Sequence, residues 1–315
     1  MGEPFFLQPI FEEKIWGGIA LKDEFGYEIP SEQTGECWAI SGHPNAPSVI
    51  RDGKFKGKTL QEVWITHPEL FGNYNSNRFP LLTKIIDARE NLSVQVHPNN
   101  EYAKIHENGE LGKTECWYII DCKKDAQLIL GHNAKTKEEL IYQIEHENWE
   151  KLLRRIPIQP GDFFYVPSGT IHALCKGTLV LETQQSSDTT YRVYDYDRVN
   201  QNGKKRELHL KQSIDVITVP HQDPKFNISV EERAGMQITT FVKSKYFSVF
   251  KWKITGEEQL YQTEPFLLVS VLKGMGDITT SNKIYPFQKG DHFILPATIK
   301  DFTIQGDATL IVSHP

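Results

Sequence analysis

The feature that most constrains this 315-residue chain is an internal repeat. Gly161-Asp162-Phe163-Phe164-Tyr165-Val166-Pro167 is echoed by Gly290-Asp291-His292-Phe293-Ile294-Leu295-Pro296, at an offset held by the glycines (290 − 161 = 129) and by the prolines (296 − 167 = 129). Each copy is a Gly-Asp turn, a short apolar strand and a proline, which has no N–H to offer a sheet and so ends the strand. A unit of turn, strand and stop that recurs over so long an interval points to two related barrels. The copies then diverge. The first runs on through Ser168-Gly169-Thr170-Ile171-His172 and the second through Ala297-Thr298-Ile299-Lys300-Asp301, so aspartate stands where the first has histidine. Only the first barrel is therefore expected to be equipped for a metal.

The rest of the chain agrees with an all-β architecture carrying helical insertions. Short runs rich in Val, Ile, Phe and Tyr alternate with turns such as Pro160-Gly161-Asp162 and Lys289-Gly290-Asp291, the pattern of sandwiches and barrels. Two stretches read as helical: Thr59 to Phe71, and Thr136 to Arg155, where Leu140, Ile144, Trp149, Leu152 and Leu153 recur at spacings that share a helix face. Thr136 followed by Glu139 is a capping-box pattern. The polar segment Glu207 to Gly235, with Pro220 and Pro224, reads as a bridge. The chain is thus divided into a catalytic unit, 1–235, and a second, metal-free unit, 236–315.

Composition excludes several classes. Hydrophobic residues at 39% and charged ones at 24%, with 17 Phe, 12 Tyr and 6 Trp, supply packed cores and are unlike a disordered chain. No apolar run approaches the roughly 20 residues that cross a bilayer, and Met1-Gly2-Glu3-Pro4 lacks the basic and apolar start of an export signal. Cys37, Cys116, Cys122 and Cys175 show no Cys-x-x-Cys spacing and read as reduced thiols of a cytoplasmic protein. A net charge of −6 without a long Lys/Arg stripe argues against nucleic acid as the main partner. An anionic ligand would have to be held by local charge.

In Ser93-Val94-Gln95-Val96-His97-Pro98, strand alternation puts Ser93, Gln95 and His97 on one face. Lys113 and Glu115 share a face by the same rule and lead into the apolar run Cys116-Trp117-Tyr118-Ile119-Ile120. A charged pair entering a buried strand needs a partner, because burying an unpaired charge is costly. His172 follows a Pro-x-Gly turn. Imidazole, carboxylate and amide oxygen together suit one borderline divalent ion such as Zn²⁺, with a position left for water or substrate. His43, His106 and His132 have no comparable context and read as surface or structural residues.

The segment Gly161 to His172 fits the second cupin signature: glycine, five residues, Pro-x-Gly, two residues, histidine. The longer stretch Pro80-Leu81-Leu82-Thr83-Lys84-Ile85-Ile86-Asp87-Ala88-Arg89-Glu90-Asn91-Leu92 running into Ser93–Pro98 resembles the central motif of the type I mannose-6-phosphate isomerases. Ile15-Trp16-Gly17-Gly18, Gly35-Glu36-Cys37-Trp38, Lys113-x-Glu115, Pro167 to His172 and Ser187 to Arg198 fit the same family, in order. The resemblance implies two cupin (jelly-roll) barrels in the short bacterial form, with Gln95, His97, Glu115 and His172 as the zinc set. It also implies a small sugar phosphate as ligand, mannose 6-phosphate and fructose 6-phosphate interconverting through an enediol.

Arg192 falls in the implied catalytic pocket. Being permanently charged, it is assigned to charge stabilisation or substrate orientation and not to proton abstraction. Lys84, in an apolar run, and Lys113, beside Glu115, are both candidates for the acid–base role, and either is equally suited to hold the phosphate. Trp16 and Arg198 are read as substrate-binding. Thr114 and Arg198 depart from the family, which often has proline and lysine there. Rival readings are a non-catalytic sugar-phosphate-binding cupin, a different sugar-phosphate isomerase, and a cupin oxygenase, against which Gln95-x-His97 in place of His-x-His counts.

Overall fold

The computed structural model describes residues 2–199, 203–281 and 283–315. Where strands are covered on both faces the polar alternation disappears: Leu81–Ala88 and Thr178–Gln185 are buried at every position. They lie side by side in a six-stranded sheet ordered Phe163–Val166, Glu115–Cys122, Thr178–Gln185, Leu81–Ala88, Thr34–Ser41, Ile10–Gly18. A five-stranded sheet, ordered Tyr191–Tyr194, Val94–Val96, His172–Leu174, Gln127–His132, Leu153–Pro157, packs on it. Ile86, Trp117 and Val180 of the first meet Leu128, Leu130 and Leu174 of the second in one apolar cluster. Two antiparallel sheets closed over such a core form the first barrel.

The helical insertions are short. Leu60–Thr66 begins at a complete capping box, with Glu62 N donating to Thr59 Oγ1 and Thr59 N to Glu62 Oε2. Lys137–Glu145 is capped by Thr136, but the Glu139 carboxylate accepts from Lys135 N, so the expected box is half formed. The helix expected to reach Arg155 breaks after Glu145, and a single turn, Trp149–Leu152, precedes the strand Leu153–Pro157. Pairing of that strand with Gln127–His132 overrides its helical spacing. Among the described residues no helix is long and apolar enough to cross a membrane.

The repeat is structural. Phe163–Val166 pairs with Tyr118–Glu115, and His292–Leu295 pairs with Ser270–Leu267 in the same register. The strand Leu267–Thr280 is buried on both faces at its start because alternate residues enter different cores. Leu268 and Leu272, with Phe266 just before the strand, join Trp64, Phe71 and Phe79, whereas Leu267, Val269 and Val271 join Trp252, Phe293 and Leu310. The pairing of Leu267–Thr280 with the last strand shifts register between Val271 and Lys273, and at the adjoining Gly274 φ is +77° and a Cβ would lie 1.9 Å from the Asp307 carbonyl oxygen.

The sheet of the C-terminal unit reaches beyond 236–315. It recruits Ser229–Glu232 and, on the free edge of His292–Leu295, the strands Phe5–Gln8 and Val49–Ile50. An unpaired edge inside a packed interface would leave backbone donors and acceptors unsatisfied, and the N-terminal strand covers it. Phe71, Phe79 and Phe266 seal the seam edge to face or tilted, with centroids 5.3–6.0 Å apart. Truncating a buried ring of this kind costs about 3–5 kcal/mol.

The second barrel has no metal cluster among the described residues. Asp301, at the place of His172, is exposed at the start of a strand. His292 is buried, but Ser270 Oγ and Tyr27 Oη each lie 2.9 Å from one of its ring nitrogens. Asp301→Ala is therefore expected to leave metal content and turnover unchanged, as checked by elemental analysis and assay. A second equivalent of metal that vanishes with this substitution would contradict the division of labour.

Candidate metal centre and its cavity

Three neighbouring strands bring Arg192, Gln95 and His172 into one cross-strand row, because Gln95 pairs with Arg192 on one side and with His172 on the other. His97 follows one step further along the Gln95 face. Its carbonyl accepts from Gly169 N at 2.8 Å, which ties the two histidine segments together. Gly169 has φ +84°, and a Cβ there would meet Thr218 Oγ1 at 2.6 Å, so the turn presenting His172 requires glycine. Glu115 enters from the opposite sheet.

His97, Glu115 and His172 are 1%, 0% and 1% exposed, with ligand atoms all within 4.8 Å of one another. Each imidazole Nδ1 faces a backbone carbonyl at 2.8 Å, Thr189 O for His97 and Thr170 O for His172. A carbonyl only accepts, so each proton sits on Nδ1 and each Nε2 presents a lone pair. Burial, then the Lys113 charge, pushes the His97 pKa down to about 3, and burial lowers that of His172, so both rings are neutral at pH 7.

The two Nε2 atoms stand 3.1 Å apart and each lies 3.3 Å from a Glu115 oxygen. Among the described residues Glu115 Oε1 receives no hydrogen bond. Buried acceptors turned on one another repel unless a cation lies among them. Four-coordinate bonds of about 2.0–2.1 Å set ligand atoms roughly 3.3 Å apart, the spacing found here. Lys113 Nζ, 2.8 Å from Glu115 Oε2 and 3.0 Å from His97 Nε2, supplies a positive charge on one flank only. Gln95 Nε2 is 3.3 Å from His172 Nε2, and half a turn of its amide presents Oε1 at the same point. The donor set therefore fits a divalent cation.

Gln95 and Lys113, which flank the cradle, also line a cavity of about 350 Å³. A second row lines it, Lys84, Glu182 and Trp117, which are paired in register across the six-stranded sheet. Lys14, Lys84, Lys113, Arg192 and Arg206 outnumber the carboxylates Glu36, Glu182 and Asp188 around it, a local positive surplus in an acidic chain. Trp16, buried, forms an apolar wall.

The expected residues thus come together with one exception. Arg198 is not among the lining residues: its guanidinium is spent on Asp195 and on the Asn91 carbonyl. Arg206 reaches the cavity while pairing with the same Asp195. The Arg192 guanidinium, by contrast, donates among the described residues to the Glu207 carbonyl alone, at 3.3 Å, and its buried Nε has no partner among them. His43 and His132 are buried on other partners, and His106 stacks on Tyr102 at 4.1 Å, so none joins the cradle.

Glu182, Arg206 and His209 were not singled out from the sequence. Glu182 carries the signal that marked Lys84, a charge inside an apolar strand. His209 lies in the polar segment read as a bridge and Arg206 just before it, and the return of that segment to the Arg192 strand brings them in: His209 N donates to Arg192 O at 2.8 Å, and Arg192 N to His209 Nδ1 at 3.2 Å.

Fold and site define a class, the two-barrel cupin enzymes with one buried cluster that could hold a cation beside a sugar-sized cavity. Residues 5–119 match the phosphomannose isomerase type I catalytic domain and residues 237–315 the mannose-6-phosphate isomerase cupin domain. The mannose-6-phosphate isomerase ManA of Bacillus subtilis is 58% identical over 312 residues, covering 99% of each chain. The mannose-6-phosphate isomerase of Streptococcus mutans is 55% identical over 316 residues, covering 100% of this chain and 99% of that one. A crystal structure of the mannose 6-phosphate isomerase from Bacillus subtilis superposes with a TM-score of 0.98 at 59% identity, over 100% of both chains. The chain belongs to the type I phosphomannose isomerase family and is an isomerase.

Proposed function

We propose that the chain interconverts mannose 6-phosphate and fructose 6-phosphate through an enediol, with one Zn²⁺ held by His97, Glu115, His172 and Gln95. The observation that carries this reading is the buried cluster of His97, Glu115 and His172, with Glu115 Oε1 unpartnered, next to a cavity with surplus cations that Gln95 and Lys113 line. When bound, the ion supplies Lewis-acid polarisation at the oxygens of the open-chain sugar. The four unpaired cysteines support a reducing, cytoplasmic setting.

The chain's own groups handle the protons and charge. Isomerisation moves one proton between C2 and C1 and another between the two oxygens. Burial, and then the Glu115 charge, raise the Glu182 pKa to about 7, which matches a carboxylate to taking and returning the carbon-bound proton. Lys84, its partner in register, is placed to donate to a substrate oxygen. Burial opposes the charge on Lys113, but Glu115 and Glu182 outweigh it and raise its pKa. It stays an ammonium that keeps Glu115 ionised and does not serve as the base. Arg192 meets developing negative charge or orients the substrate, while Lys14 and Arg206 supply charge for the phosphate.

A coupled assay with mannose 6-phosphate and glucose 6-phosphate, with and without chelator, tests this. Turnover is expected with mannose 6-phosphate, lost on chelation and restored by stoichiometric Zn²⁺. Because protonated Glu182 cannot accept a proton, kcat/KM should fall as pH drops through its pKa. A cation in the cradle draws that value down, so the inflection lies at or below about 7, and Glu182→Gln should abolish it. Indifference to chelation, or preference for glucose 6-phosphate, would refute the reading.

A further inference from the structure

Arg192 stands on Tyr191–Tyr194, the edge strand of the five-stranded sheet. Its backbone N–H and C=O turn to the open side, where no further strand follows. Such groups need partners from elsewhere. The chain doubles back after Arg198, with an antiparallel bridge between Val199 and Lys205, and supplies them. His209 N donates to Arg192 O at 2.8 Å, and His209 Nδ1 accepts from Arg192 N at 3.2 Å. A ring nitrogen thus stands where a neighbouring strand would place a carbonyl. Since that nitrogen accepts, the neutral imidazole carries its proton on Nε2.

The contacts around this pair make a clamp. The Glu207 carbonyl accepts from Arg192 Nη1 at 3.3 Å. Arg206 reaches Asp195 with two donors, Nε to Oδ2 at 2.8 Å and Nη2 to Oδ1 at 2.5 Å, the strong bidentate geometry. Residues 206–209 therefore run antiparallel to 192–195 and grip both ends of that stretch. Behind them, Leu210–Val216 is a helix whose Ile214 and Val216 pack on the cluster of Val94, Tyr191 and Val193. His209 is the N-cap of that helix, yet its ring makes no capping bond there. Ser, Thr, Asp and Asn are the side chains that suit such a cap, so the helix does not account for a histidine. The bond across to Arg192 does.

The head of Arg192 gives the reason for a clamp. No carboxylate pairs with it among the described residues, and its buried Nε has no partner among them. Burial, and then the Arg206 charge, lower its pKa, so the guanidinium is held against an adverse field. A charge kept free for a ligand cannot be fixed by an ion pair at its head, and the fixing falls to its backbone. We infer that His209 is a positioning residue for Arg192: its Nδ1 and its backbone N–H fix the strand residue from which the guanidinium reaches the sugar phosphate. The inference rests on the isomerase reading above, in which Arg192 meets the substrate. A misplacement of about 1 Å can cost about a hundredfold in rate.

The test compares His209→Ala, His209→Asn and His209→Gln in the whole, zinc-loaded chain. Asparagine places an amide oxygen near the position of Nδ1, whereas the longer glutamine carries its oxygen past that point. Amide hydrogen exchange at Arg192, followed by NMR, reads the clamp without reference to turnover. It should quicken about tenfold in the alanine and glutamine variants and return toward the parent rate with asparagine. Turnover of mannose 6-phosphate should fall about 10–100-fold with alanine and glutamine, in the same parameter, kcat or KM, that Arg192→Ala changes. Asparagine should recover most of that loss, and the contrast between the two amides decides the matter even if alanine unfolds the chain. Added to Arg192→Ala, His209→Ala should lower turnover no further, because it acts through the side chain already removed. An equal fall in the Arg192→Ala background, glutamine restoring as well as asparagine, or Arg192 exchange indifferent to all three substitutions would overturn the inference. The expected exchange pattern in a parent that does not turn over mannose 6-phosphate would refute the isomerase reading and leave the clamp standing.

Discussion

The double variant His97→Ala, His172→Ala is expected to lose its bound ion and its turnover together. Two of the three strong ligands go, and the remaining carboxylate with a neutral amide makes a poor site for Zn²⁺. Loss of several kcal/mol of charge stabilisation corresponds to at least about three orders of magnitude in rate. The fold should survive, because Glu115 keeps Lys113 at 2.8 Å as its counter-ion. Glu115→Ala is a poorer probe, since breaking a buried ion pair strands the Lys113 ammonium at a cost of about 3–5 kcal/mol. Elemental analysis reads occupancy directly. A melting temperature equal to that of the chelator-treated parent would separate loss of metal from loss of packing, because a ligand that binds only the folded chain raises its stability. Full occupancy in the double variant would sink the ligand assignment.

Arg192→Ala should lower turnover by about 2.7–4 kcal/mol, two to three orders of magnitude, by analogy with the loss of a positioned donor to developing charge. Metal content and stability should hold, because Arg192 makes no ion pair among the described residues. Asp195 is taken by Arg198 and Arg206, and Asp188 accepts from Asn45 at 3.5 Å. Rate measurements assign the role: a fall in kcat places the contact in the transition state, whereas a rise in KM alone places it in binding. Arg192→Lys keeps the charge but loses the planar fork, so partial recovery is expected. Near-normal turnover in the alanine variant would make Arg192 structural.

The ligands of the cradle were legible along the chain because their signals are local. Strand alternation puts Gln95 and His97 on one face, the Pro-x-Gly turn marks His172, and the charged pair Lys113 and Glu115 opens an otherwise apolar strand. The repeat was legible for the same reason, since turn, strand and proline stop are short-range chemistry, and it correctly indicated two related barrels.

Pairing across the chain is a different matter. That Lys84 neighbours Glu182, and that Gln95 sits between Arg192 and His172, depends on register between strands up to 98 residues apart (182 − 84 = 98), which no local pattern encodes. Arg198, expected at the substrate, and Arg206, not foreseen, both pair with Asp195, yet only Arg206 lines the cavity. Closure of the C-terminal sheet by Phe5–Gln8 was equally hidden, because an edge strand finds its partner by position in space and not by proximity in sequence. Residue order thus marked the groups that could hold an ion, and long-range strand pairing specified which charges surround them.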